Sequence, residues 1–219
     1  MTEPWLERWE EGRIGWHEPA GNSRLRKHWT ATGRRVIVPL CGKTFDLIWL
    51  EQQGNDVVGV ELSELAVRAF FEENGLLYSV HEAELPAFTA DDRQITIVCG
   101  DYFAFTADPF DAYFDRGGLV ALPADERPGY VEHTRSLLAA NAETMIITLE
   151  YDQDVVDGPP YAVAADELLT YWPELRRVAA DEDLANGPPK FRAAGLQEMI
   201  AVVWQAPGSP ARRNPMAPQ

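Results

Sequence analysis

Residues 34–50, RRVIVPLCGKTFDLIWL, pass from a β-branched apolar run through a glycine turn into an apolar run with helical spacing. A strand that feeds a helix through so short a turn opens a βαβ unit, and few fold classes begin that way. The order then repeats. DVVGVEL reads as a second strand and SELAVRAFFEENG as a second helix, with Ser63 as its N-cap and Gly54 and Gly75 as helix stops. QITIVCGDYF and FDAYFDR read as strands, PADERPGYVEHTRSLLAA as a helix, and TMIITLEY as a strand. This rhythm predicts a Rossmann-like α/β fold: a mostly parallel, doubly wound sheet with helices on both faces.

The two ends of the chain depart from that rhythm. Trp5 and Trp9 in EPWLERWEEG have the i,i+4 spacing of one helix face, with Gly12 as the stop, although core packing explains such a pair equally well. GNSRLRKHW, opened by Asn22 and Ser23, reads as a second short helix. Late in the chain AADELLTYW reads as a helix, ELRRVAADED as a strand and LQEMIAVVWQ as a final strand. Strands that follow without a full crossover helix predict an antiparallel edge. A single domain over residues 1–206 is expected, with an N-terminal helical lid (1–33) over a core (34–206). The Pro-, Gly- and Ala-rich tail 207–219 is expected to be disordered.

Composition narrows the partners. The chain carries 35 acidic against 19 basic side chains, a formal charge of -16, which opposes a sequence-independent grip on nucleic-acid phosphates. Cys41 and Cys99 lie in or just after strands, as reduced thiols do, and no run approaches the about 20 apolar residues of a membrane span. A soluble, cytoplasmic protein with a small-molecule partner is expected, monomeric by default, with no metal site and no catalytic side chain assigned.

The turn itself poses a choice, because Gly42-Lys43-Thr44 is the end of a phosphate-binding loop. In that loop a glycine precedes by five residues, where this chain has Ile37, and Pro39 removes an N–H from the cradle. A Rossmann-type turn fits better. Glu61 closes the second strand about twenty residues on, where an acidic residue takes the ribose hydroxyls. PLCGKTFD offers Gly42 alone, so the full dinucleotide fingerprint is missing and with it the need to hold a pyrophosphate. S-adenosylmethionine carries adenosine without phosphate, and its sulfonium suits an acidic protein. Asp101, ending the third strand, then falls at the adenine amino group with Tyr102 beside the ring, unless Glu61 and Asp101 are simply polar strand ends.

VIVPLCGKTFDLIWLEQQGNDVVGVELSELAVRAFF, the N-terminal WLERW and GRIGWHE, FDRGGLVALP and GPPYAV together resemble the thiopurine S-methyltransferase family, particularly its bacterial members, over residues 5–204. The resemblance implies a class I S-adenosylmethionine-dependent methyltransferase with a seven-stranded sheet, its last strand antiparallel, and N-terminal helices over the cofactor. It carries the family's cofactor contacts onto Trp9, Leu40, Glu61 and Arg116, and less strictly onto Trp5, Gly42, Asp101 and Tyr102. It places Trp16 against the acceptor, with Arg116 on the methionine carboxylate or an anionic acceptor, unless Asp115 or a surface carboxylate ties that arginine up. Implied acceptors are soft nucleophiles: thiols, halides, and selenium or tellurium compounds.

An acidic thiol needs no general base; for a weaker acid, His17 or Asp115 is the available group. Cys41 reads as packing and Lys43 as a helix-start residue at the pocket border. The basic stretch that mammalian members carry late in the chain is altered here to ANGPPKFRAAG, with Lys190 and Arg192 displaced. A non-catalytic binder of the same adenosine ligand is the alternative, and a phosphate-loop transferase the third reading.

Overall fold

The computed structural model describes residues 3–208; residues 209–219, most of the expected disordered tail, lie outside the described residues. In chain order the elements are α1 (Glu3–Glu10), α2 (Ser23–His28), β1 (Arg35–Pro39), α3 (Asp46–Gln52), β2 (Asp56–Glu61), α4 (Glu64–Glu73), β3 (Tyr78–His81), β4 (Ala87–Ala90) and β5 (Ile95–Cys99). They continue with β6 (Phe110–Asp115), α5 (Arg127–Ser136), β7 (Leu138–Glu150), α6 (Ala165–Tyr171), β8 (Arg176–Glu182), α7 (Pro189–Ala193) and β9 (Ile200–Ala206). Among the described residues no helix is long and apolar enough to cross a membrane.

One sheet holds them, in the order β3-β4-β5-β2-β1-β6-β7-β9-β8. The central strands β5, β2, β1, β6 and β7 are parallel, and β9 enters antiparallel between β7 and β8. Strands β5 to β8 of that order are the expected seven with the last strand antiparallel. The hairpin β3–β4 adds two more at the edge, pairing antiparallel to β5. That hairpin was not expected: its strands are four residues each, half exposed, and separated by an acidic segment with Pro86, so no apolar alternation announces them.

Period-two alternation sorts the core into two layers. Val36 and Val38 of β1 pack on the face covered by α3 and α4, while Ile37 joins Tyr113, Tyr130 and Trp172 on the face covered by α5 and α6. Burial on both faces is what a parallel strand between helices requires, and it explains the unbroken VIV run. Ser63 caps α4 through its hydroxyl, accepting from Ala66 N–H, and Asn22 caps α2 by accepting from Arg24 and Leu25 N–H. The helix expected over residues 123–140 is shorter. Leu137 closes α5 by bonding back to Thr134, and its carbonyl accepts Phe110 N–H, so the LLAA end of that stretch is drawn into β7 beside the buried Phe110.

β1 lies between β2 on one side and β6 on the other, the point where the strand order reverses. Ligands in such sheets bind in the crevice beyond the carboxyl ends of the strands at that point. Leu40–Gly42, Glu61 and Arg116 all follow or end strands there.

Candidate functional site

The turn after β1 has an unusual backbone. Leu40 has φ 47° and Gly42 φ 55°, and among the described residues Leu40 is the non-glycine residue with positive φ. A leucine in the left-handed region costs about 1–3 kcal/mol, so its surroundings must hold it. Part of that hold is Glu61: its carboxylate accepts the N–H of Gly42 at 2.7 Å and of Ser63 at 2.8 Å. Both oxygens thus clasp the turn to the start of α4, and two of the carboxylate's roughly four lone-pair positions remain.

Gly42 also admits α1. A Cβ there would lie 3.2 Å from Trp9 Cζ2, so the indole packs directly on the turn. Trp16 stands edge-on to both helix tryptophans, 5.3 Å from Trp5 and 5.9 Å from Trp9 between ring centroids. Arg8 lies 4.7 Å over Trp5. Each edge-on pair contributes about 0.5–1.5 kcal/mol beyond area burial.

The segment between α1 and α2 is bolted to the core at two places. Arg116, just past β6, donates from Nη1 to the Trp16 carbonyl at 2.7 Å and from Nη2 to Glu18. Asp46, at the start of α3, accepts Asn22 N–H at 2.6 Å, and Asn22 Nδ2 donates to both Glu18 oxygens at 3.2 and 3.4 Å. Residues 16–22 therefore form a strap from the β6 end to the start of α3. The surface carboxylate weighed as an alternative partner for Arg116 is Glu18.

Asp115 does not pair with Arg116 and is not available as a base. Its carboxylate is buried and accepts from Tyr113 Oη (2.7 Å), Tyr130 Oη (2.8 Å), Gly118 N–H (2.8 Å) and Leu119 N–H (3.1 Å). Three of these donors converge on Oδ2 and Gly118 N–H holds Oδ1, so the buried carboxylate is committed to the core and not turned to an acceptor. His17 is half-buried; burial first, then the Lys43 ammonium, holds its imidazole below the ordinary value, which keeps it neutral near pH 7. Lys43 is itself paired with Glu73 at 2.5 Å. Burial pushes the Cys41 thiol far up, which suits packing and not nucleophilic attack.

At the end of β5, Asp101 is exposed and accepts Phe103 N–H at 3.0 Å, while Gly100 N–H reaches the Glu61 carbonyl at 2.9 Å. The Tyr102 ring turns inward: it is buried, shares a 3.0 Å hydrogen bond with Thr134, and packs on Tyr130 and His133. Phe103, not singled out from sequence, is the exposed aromatic beside Asp101. Lys190 donates to the carbonyls of Asp157 and Gly158 at 3.0 Å each, and Arg192 to those of Leu184 and Ala185, so both late cations act as backbone clamps. Contacts thus join Trp5, Trp9, Trp16, Gly42, Glu61 and Arg116 beyond the carboxyl ends of β1, β2 and β6, with Leu40 in the same turn and Asp101 past the end of β5. Glu18, Asn22 and Asp46 complete the set; the i,i+4 spacing of Glu18 and Asn22 was the available signal. A surface cavity of about 460 Å³ lined by Arg35, Glu51, Asp56 and Asp111 lies at the opposite ends of β1 and β2, away from this chemistry.

Asp46, Glu61 and Asp115 all have carboxyls raised above their ordinary values, in each case chiefly by burial. The folded chain then holds protons that the unfolded chain has released, so stability falls as pH rises from the ordinary carboxylate range through the raised folded values. Self-repulsion among the 35 acidic side chains acts in the same direction. The depressed imidazoles of His17 and His28 act the other way as pH passes through the ordinary histidine value, so the carboxylate contribution is read as the difference between wild type and Asp46→Asn in thermal melts at constant salt. Wild type should lose more Tm than Asp46→Asn as pH rises above the ordinary carboxylate range; equal slopes would contradict this.

The residues fit S-adenosylmethionine by their donor set: Glu61 keeps acceptor positions for a ribose diol, and the acidic, tryptophan-lined crevice suits a sulfonium. The family model described as thiopurine S-methyltransferase matches residues 1–208. Among curated relatives, a thiopurine S-methyltransferase of Bordetella petrii is 44% identical over 213 residues, covering 93% of this chain and 97% of the relative. One of Photobacterium profundum is 41% identical, with 93% and 97% covered. Among solved structures, the Burkholderia thailandensis 1,6-didemethyltoxoflavin-N1-methyltransferase with bound S-adenosylhomocysteine superposes with TM-score 0.61 at 17% identity, covering 94% of this chain and 87% of that one. An S-adenosylmethionine-dependent methyltransferase of Anabaena variabilis gives TM-score 0.59 at 15% identity, with 94% of each chain covered. The fold is the Rossmann-like class I methyltransferase fold, and the cofactor is S-adenosylmethionine.

Proposed function

Because the chain belongs to the thiopurine S-methyltransferase family and is an S-adenosylmethionine-dependent methyltransferase, we propose that it methylates a soft nucleophile, in the first instance a thiol. The observation that carries the reading is the clasped turn under the tryptophans: Glu61 on Gly42 N–H, with Trp9 packed on the same glycine. In this reading Trp5, Trp9, Leu40, Gly42, Glu61 and Asp101 hold the cofactor, Tyr102, whose ring is buried in the core, backs the pocket from behind, and Trp16 and Arg116, the latter engaged by Glu18, border the acceptor. Residues 1–206 act as one domain with 1–33 as its lid, and the chain works as a cytoplasmic monomer on a small molecule.

When bound, S-adenosylmethionine supplies an electrophilic methyl group on a sulfonium. What the chain contributes is placement. The strained turn and Glu61 fix one end of the crevice, and Trp16 of the strap with Trp5 and Trp9 of α1 closes the other and excludes water. Holding the reacting atoms in line can supply about 7–11 kcal/mol of barrier reduction. Tryptophan faces near a cation add about 1 kcal/mol. Asp115 is buried and bonded within the core, and burial holds His17 below the ordinary histidine value and so makes it a weak base, so an acceptor that arrives already ionised fits the site best.

The test is an acceptor screen with a thiopurine, thiophenol, a halide and a selenium compound, reading S-adenosylhomocysteine formed. A thiol should turn over fastest. Cofactor binding in a calorimeter without turnover of any acceptor would favour a non-catalytic binder instead.

A further inference from the structure

Granting the acceptor reading above, we propose that Glu18 sets charge specificity: it is a built-in counter-charge on Arg116 that disfavours acceptors bearing a negative group besides the reacting thiolate. A guanidinium with open N–H pairs binds a carboxylate through two parallel bonds. At Arg116 two of the five N–H donors are already engaged, one on Nη1 by the Trp16 carbonyl and one on Nη2 by Glu18, and the Glu18 carboxylate already offsets the charge.

Glu18 is 39% exposed, yet it is not a loose surface side chain. Asn22 Nδ2 donates to both of its oxygens. The amide of Asn22 is fixed in turn, because its Oδ1 caps α2 by accepting from Arg24 and Leu25 N–H and its backbone N–H goes to the buried Asp46. The second cation at the crevice, Lys43, carries a carboxylate of its own in Glu73. Both cations that act on His17 are thus paired before an acceptor enters.

Charge balance follows the reaction. A thiolate lone pair forms the new S–C bond as the sulfonium–methyl bond breaks, the bonding pair returning to the sulfonium sulfur, so one negative and one positive charge disappear together. A further carboxylate on the acceptor takes no part in that cancellation. It would need Arg116 and would have to displace Glu18, whereas a plain thiol would not.

The measurement compares thiophenol with a thiophenol bearing a ring carboxylate, by turnover and by titration onto the protein loaded with S-adenosylhomocysteine. Glu18→Gln should raise kcat/KM for the carboxylated thiol about tenfold relative to thiophenol, through KM and not kcat, because a like charge a few ångströms away is removed. The gain should shrink as salt is raised. Asn22→Ser, which keeps a capping oxygen but releases Glu18, should give a smaller gain of the same sign. Equal changes for both thiols in Glu18→Gln would overturn the assignment. If wild-type protein methylates neither thiol, the thiol reading fails, while the ratio of the two dissociation constants still decides the role of Glu18. Failure of both thiols to bind would overturn the two together.

Discussion

Glu61→Ala is expected to weaken S-adenosylmethionine and S-adenosylhomocysteine binding about 100-fold or more, with the sheet intact. Hydrogen bonds to a charged acceptor contribute about 1.5–3 kcal/mol each, and a ribose diol offers two. Alanine removes those acceptors and also frees the N–H groups of Gly42 and Ser63 that Glu61 now holds at 2.7 and 2.8 Å. The turn then loses the clasp that offsets the positive φ of Leu40. Glu61→Gln, with one oxygen left, should fall between. Calorimetric titration with S-adenosylhomocysteine reads the loss, and circular dichroism establishes that the fold persists. An unchanged dissociation constant in the folded alanine variant would remove Glu61 from the site.

Asp115→Ala should produce the largest loss of stability, about 3 kcal/mol or more, because it leaves several buried donors without an acceptor at about 1–3 kcal/mol each. Two tyrosine hydroxyls and two backbone N–H groups converge on this carboxylate in an interior where none of them meets water. Their desolvation is already spent in the native state and has nothing to offset it once the acceptor is gone. Asp115→Asn keeps the volume but turns an NH2 toward donors, and should cost nearly as much. Urea midpoints at constant slope measure both. A loss under about 1 kcal/mol for the alanine variant would mean that the four bonds are not made as described. The consequence reaches the site, since Arg116 follows Asp115 directly and its position depends on that anchorage.

What sequence could reveal depended on how far apart the cooperating residues lie. The strand–turn–helix of residues 34–50, the cap at Ser63 and the Trp5–Trp9 face are local patterns and appear where they were expected. Glu61 was legible because a fixed βαβ spacing carries it to the end of the neighbouring strand. The strap was not legible: Glu18 and Arg116 are 98 residues apart and Asn22 and Asp46 are 24 apart, and no periodicity links them. Tyr102 shows the same limit. Its place after a strand was readable, but the inward turn of its ring is decided by Thr134, 32 residues on. The hairpin β3–β4 escaped because pairing with β5, and not its own composition, makes it a sheet edge.

The strap's long-range bonds have a consequence for the order in which the molecule assembles. Arg116 meets Trp16 and Glu18 across 100 and 98 residues, and closing so wide a loop is unfavourable until the pairing of β1 with β6 has brought the two ends together. The crevice is therefore finished last, after the sheet. By the same logic it is the first part to open: residues 16–22 can detach by breaking a handful of bonds while the sheet stays folded. Amide hydrogens of the strap should exchange with solvent far sooner than those of β1 or β6, and a bound ligand should slow the strap's exchange and leave that of the strands as it was.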